Sequence, residues 1–143
     1  MIIDTAYYER CIGTLQKAYA MLEEEKSESI EYEMYRSACI KEFEIILEQS
    51  GKLLRKALSP YFHTSKEVDK LNFKEVFRHA VLRSFINDET GERWLEYRDN
   101  RNNTAHDYGV NFAEETLILL PQFITDAREL ADIIKQQSHA AEE

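Results

Sequence analysis

Glycine and proline are nearly missing, at 4 and 2 of 143 residues, where an average soluble chain carries about 12% of the pair. An all-β sandwich or barrel needs turn residues about every 8–12 positions, so that class is excluded and long helices are expected. Cysteine is as scarce. Cys11 and Cys39 form no CxxC pair, which leaves no disulfide framework or zinc ribbon and fits two small buried apolar residues in a reducing compartment. Long apolar runs are absent as well, since the longest uncharged one, Thr116 to Thr125, has 10 residues against the ~20 of a membrane-spanning helix. Basic charge is in deficit, 18 Lys and Arg against 27 Asp and Glu for a net −9. The surface as a whole therefore attracts neither phosphate backbones nor anionic lipid, and any nucleic acid must be met by a local patch. The start Met1-Ile2-Ile3-Asp4 lacks the basic stretch of a signal peptide, so a cytoplasmic location without a membrane partner is expected.

What is present is enough to fold. Hydrophobic residues make up 43% and charged residues 31% of the chain, which suits one globular domain over residues 1–143 with a core that needs no metal. Tyr8, Cys11, Leu15, Ala18 and Leu22 recur at 3-4-3-4 spacing, one stripe of a helix from about Asp4 to Glu25. A second helix from about Ser29 to Leu58 carries Ile40, Phe43, Leu47, Leu54 and Ala57, and Ser59-Pro60 stops it. Asn72-Phe73-Lys74-Glu75 has the form of a capping box before a third helix with Val76, Phe77, Ala80 and Phe85. Asn87 to Gly91 reads as a loop, and a fourth helix from about Glu92 to Thr104 turns Trp94 and Leu95 inward. Asn111-Phe112-Ala113-Glu114 reads as another cap, ahead of a fifth helix with Leu120, Phe123, Ala127, Leu130 and Ile134 on one face. Pro121 inside it predicts a kink there or a break at Leu120. The expected fold is all-α, an antiparallel up-and-down helical bundle of four to five helices.

The stretch Asp99 to Tyr108 does not fit that pattern. Eight of its ten residues are polar or charged and three are asparagine, a poor helix former, so packing alone does not account for it. Its chemistry lies in Arg101, Asn102, His106 and Tyr108. Arginine is permanently cationic and suits phosphate, histidine exchanges protons near neutral pH, and a tyrosine hydroxyl can accept a transferred group. Five residues of α-helix turn through about 500°, so Arg101 and His106 on one straight helix lie roughly 140° apart. Either the helix ends between them, or a symmetry-related second chain supplies the complementary residue across an interface. Asn102 and His106, at i and i+4, share a face, which makes Asn102 a candidate substrate-positioning residue. Nine arginines and four histidines in 143 residues give an Arg-x4-His match about 0.25 times by chance, and requiring a tyrosine two residues later lowers that to about 0.014.

Arg101-Asn102-x3-His106-x-Tyr108, at the end of a helix in a small acidic all-helical chain, resembles the signature of the HEPN superfamily. It is most similar to the HepT toxins and the related nucleotidyltransferase substrate-binding proteins. Trp94 to Arg101 ahead of the motif and Ala113 with the apolar last helix behind it extend the resemblance over nearly the whole chain. What the resemblance implies is a homodimer of HEPN-like bundles with a composite cleft. The expected function is that of a HepT-like toxin of a type VII toxin–antitoxin pair, a metal-independent ribonuclease acting on RNA such as tRNA. In that reading Arg101 and His106 are catalytic, Asn102 positions substrate, and Tyr108 receives AMP from a cognate small nucleotidyltransferase antitoxin. No metal, no cofactor and no DNA is implied. The alternative is a non-catalytic substrate-binding subunit of a two-component nucleotidyltransferase.

The other candidate groups have simpler readings. His79, four residues after Glu75, reads as half of a helix-surface pair, and His63 and His139 as loop and tail residues. Arg78, Arg83, Arg93, Arg98 and Arg101 are matched between residues 78 and 101 by five carboxylates, so salt-bridged helix faces are expected rather than a basic channel.

Overall fold

In the computed structural model the described residues are 2–106 and 110–140, with side chains described for 2–103 and 111–138. Six helices follow one another, α1 Ala6–Glu23, α2 Ile30–Leu58, α3 Ser65–Asp69, α4 Phe73–Leu82, α5 Asp88–His106 and α6 Val110–Ala140, with a 3-10 turn Ser59–Tyr61 after α2. No strand occurs among the described residues. Contacts at matching levels give the directions. Tyr8 meets Ser50 at 2.8 Å, so α1 and α2 are antiparallel, and Arg93 meets Asp126 while Asn100 meets Thr116, so α5 and α6 are too. Phe43 on Phe123 with ring centroids 4.6 Å apart, and Arg36 on Glu114, set α2 and α6 parallel across the middle of the bundle. The four long helices thus run up, down, up, down, as the periodicity predicts, and α3 and α4 fill the connection between α2 and α5.

The apolar stripes read from the sequence are the core. Tyr8, Cys11, Leu15, Ala18 and Leu22 of α1 are buried, as are Phe43, Leu47, Leu54 and Ala57 of α2 and all five marked residues of α6. Ile40 is half-buried. Ser29 caps α2 by accepting from the Tyr32 amide at 3.1 Å, and the Asn72–Glu75 capping box forms in both directions. Helix α6 passes through Pro121 without a break.

Four local expectations are corrected. Asn87 to Gly91 is not a loop, because Asn87 Oδ1 accepts from the Thr90 amide at 2.8 Å and starts α5 at Asp88. Gly91 serves close packing there, since a Cβ would stand 2.6 Å from Val81 Cγ2 on α4. Asn111 does not cap α6, which begins at Val110, and Glu114 instead binds α2. Phe85 is buried but lies beyond the end of α4. That helix closes without glycine, with Ser84 at φ 62° and the Phe85 amide donating to the Ala80 carbonyl at 2.9 Å. Glu75 is committed to its capping box, and the half-buried His79 ring packs edge-on to Phe62 with centroids 5.2 Å apart.

Candidate functional site

Helix α5 is built to be held still. Trp94 is fully buried, stacked on Phe77 of α4 at 4.9 Å and edge-on to Tyr97 at 5.5 Å. Asp126 of α6, with its side chain entirely out of solvent, is the polar centre of the seam. It accepts from Arg93 Nε at 2.9 Å, Arg93 Nη2 at 3.0 Å, Tyr97 Oη at 2.5 Å and Gln122 Nε2 at 3.1 Å. A carboxylate offers about four lone-pair sites, so its capacity is filled. Burial and then the bond to Asp126 push the Tyr97 phenol well above its ordinary range, and the same carboxylate raises Arg93 further above its own. Asp126 sits between Phe123 and Ala127 and alternates with apolar neighbours on the inner stripe, which was the one available sequence signal for this network.

Two turns further along α5 the packing thins and the motif begins. Asn100 donates from Nδ2 to Thr116 Oγ1 at 2.7 Å, and that hydroxyl donates to the Phe112 carbonyl at 3.0 Å. The next residue, Arg101, is half-buried, and Asn102 is exposed. Helix α5 continues to His106, so it does not end between Arg101 and His106. The backbone places Asn102 and His106 on one face and turns Arg101 roughly 140° from His106 about the axis. The His106 side chain and the whole of Tyr108 lie outside the described residues.

The same end of the bundle holds a cluster that the sequence did not single out. Glu114 accepts from Tyr32 Oη at 3.0 Å on both carboxylate oxygens and from Arg36 Nη1 at 3.0 Å. Burial, followed by Glu114, raises the Tyr32 phenol above its ordinary value. This cluster ties the first turn of α6 to α2 directly after the motif. Three of the upstream arginines are held by rings or carboxylates. Arg93 binds Asp126 and Glu89, Arg83 lies over the Tyr61 ring at 4.6 Å, and Arg98 over the Phe73 ring at 5.2 Å. A surface groove along α5 beside Lys74 of α4 is acidic, lined by Glu89, Glu92, Glu96 and Asp99 with Arg93. Among the described residues no group of three or more His, Cys, Asp or Glu is placed to hold a metal, and no helix is long and apolar enough to cross a membrane.

With this geometry in place, the model of the family described as nucleotidyltransferase substrate binding protein like matches residues 8–136. The chain belongs to that family. A relative from Haemophilus influenzae named probable ribonuclease HepT is 23% identical over 141 residues, spanning 96% of this chain and 92% of its own. A solved structure, HI0074 from Haemophilus influenzae, superimposes with a TM-score of 0.78 over 92% of this chain and 98% of that one, at 20% identity. That structure is presented as the fold of a substrate binding domain of a nucleotidyltransferase, and it shares the helical fold of this chain.

Proposed function

We propose that this chain is a HepT-like, metal-independent ribonuclease that works as a homodimer and is the toxin of a type VII toxin–antitoxin pair. The observation that carries the reading is α5 running unbroken from Arg101 to His106. On one helix the two residues point apart, and a two-fold partner supplies the missing group from its own α5. Arg101 then stabilises the charge that builds on the phosphorane oxygens. His106 takes the proton of the ribose 2′-hydroxyl as that oxygen attacks phosphorus, and a protonated imidazole delivers a proton to the departing 5′-oxygen. Asn102, exposed on the face of His106, orients the strand. The probable ribonuclease named among the relatives supports this reading.

Tyr108 fits the role of the regulated residue. A tyrosine hydroxyl is a weak nucleophile unaided, so a cognate small nucleotidyltransferase must supply the base and ATP. The tyrosine oxygen attacks the α-phosphorus, pyrophosphate leaves, and the negative phosphate added two residues after His106 in sequence competes with RNA for the charge of Arg101. The decisive experiment is cleavage of RNA by purified protein in EDTA. Arg101→Ala and His106→Ala should each lower the rate about 10²- to 10⁴-fold with the fold retained. Cleavage that survives both substitutions, or disappears with chelator, defeats the mechanism. The second reading, a non-catalytic subunit serving a nucleotidyltransferase, is favoured by the family description and by HI0074, and it expects no cleavage by the chain under any condition.

A further inference from the structure

The sign of the charge is uneven along this acidic chain. Residues 52–70 hold five Lys and Arg against two carboxylates, in a protein of net −9. The fold sets three of these cations along a trough of about 540 Å³ between the last two turns of α2 and the short helix α3. Lys52, Arg55 and Lys56 form one wall, Ser59 and Ser65 bring hydroxyls, and Asp69 is the single carboxylate of the lining. Lys66 and Lys70, both exposed, lie on and just after α3 but are not part of the lining. Arg55 is fixed by donating from Nε and Nη2 to the Leu71 carbonyl at 3.3 and 3.0 Å. Lys52 is held only by an exposed pair with Glu48 at 3.4 Å, a contact weak enough for a phosphate to replace.

We propose that this trough binds the phosphate backbone of RNA at a second site, remote from the Arg101 motif. Lys52 and Lys56 stand one turn apart, about 6 Å along α2, a spacing comparable to that of successive phosphates on a strand. The apolar floor, Leu53 and Val68, is already 4% and 2% exposed, so a protein partner finds no anchor pocket there, whereas a polyanion needs only the charges. Arg36, which marks the motif end through Glu114, is 20 residues from Lys56 on one helix, about 30 Å. That span is roughly nine stacked nucleotides at about 3.4 Å each. The inference rests on the ribonuclease reading and narrows its substrate to RNA long enough to reach from the motif to the far end of the bundle.

The test is fluorescence anisotropy with a labelled single-stranded RNA of about 24 nucleotides in EDTA, in a His106→Ala background, at about 100 mM salt and over a salt series. Lys52→Glu/Lys56→Glu should weaken binding at least about tenfold and flatten the log–log salt slope by about 1.4, the loss of two phosphate contacts. Lys41→Glu, an exposed lysine elsewhere on α2, should cost less than about twofold. Circular dichroism verifies that each variant is folded. Equal losses in Lys41→Glu and the double variant, or no loss in the double variant, overturn the proposal. So does unchanged RNA affinity with lost binding of the nucleotidyltransferase, which makes the trough a protein-docking surface. Because binding is read without cleavage, RNA held through the trough yet never cut by the parent protein would sink the ribonuclease reading alone.

Discussion

The two ends of α5 are made for opposite purposes. Its first half carries Gly91, Arg93, Trp94 and Tyr97, packed against α4 and α6 around a carboxylate that no solvent reaches. Its last turns carry Arg101 and Asn102, half-buried and exposed, just past the bond of Asn100 to Thr116 of α6. A helix is stiff, so the clamped half sets where the open half points, and the motif can be written in residues that contribute little to packing. In the proposed function, chemistry and stability are thereby separated by about two turns of one element.

Breaking the clamp gives the largest stability effect. Asp126→Ala removes the shared acceptor of Arg93, Tyr97 and Gln122, and leaving the buried Tyr97 hydroxyl unpaired costs about 1–3 kcal/mol. Urea unfolding is the measurement, and a loss below about 1 kcal/mol means that water reaches the seam. Alkaline pH should loosen the same region. Tyr97 is pushed above its ordinary value by burial and then by Asp126, and Tyr8, fully buried against Ser50, by burial. A phenol with a raised pKa in the fold contributes stability that is intact below about pH 10 and is lost as pH rises beyond it, by up to about 1.4 kcal/mol per pH unit for each group. Tyr8→Phe should make the curve shallower above pH ~10 and leave it unchanged near neutrality in slope.

Smaller substitutions sharpen the contrast by their sign. Gly91→Ala places a methyl 2.6 Å from Val81 Cγ2, and an overpacking cost of about 1–3 kcal/mol outweighs a helix-propensity gain of about 1 kcal/mol. A thermal melt should therefore show net destabilisation, and a gain in Tm would mean that α4 yields. Asn102→Ala, exposed on the open half, should raise stability by up to about 0.7 kcal/mol from propensity while slowing RNA cleavage. Improved stability with undiminished cleavage would remove Asn102 from the site.

Much of the bundle was legible because its signals are local. The stripes of α1 and α6, the Ser29 and Asn72 caps and the Pro60 stop depend on residues within one or two turns of each other, and each occurs where the spacing places it. The start of α5 was not. Gly91 reads as a turn residue until Val81 is brought beside it, and Asn87 as a loop residue until its side chain is seen to satisfy Thr90. Of the motif, Arg101 and Asn102 stand out as candidates by residue type and spacing, whereas Asn100, Thr116 and the Glu114 cluster gain meaning only from helices that lie 16 and about 80 positions away in sequence.

By itself the sequence determined the class of fold and the order of its long helices, since apolar periodicity and the scarcity of glycine and proline are properties of neighbouring residues. It also marked the Arg-Asn-x3-His-x-Tyr stretch as foreign to a packed helix. The tertiary structure decided where the charges go. It buried Asp126 among four donors, turned Arg83, Arg93 and Arg98 onto rings and carboxylates, and set Lys52, Arg55 and Lys56 along one trough. The reason is physical: an apolar residue needs only to be buried, whatever its partner, so its spacing suffices. A charge is stabilised or destabilised by the particular groups within a few ångströms, and those are chosen by packing between distant segments.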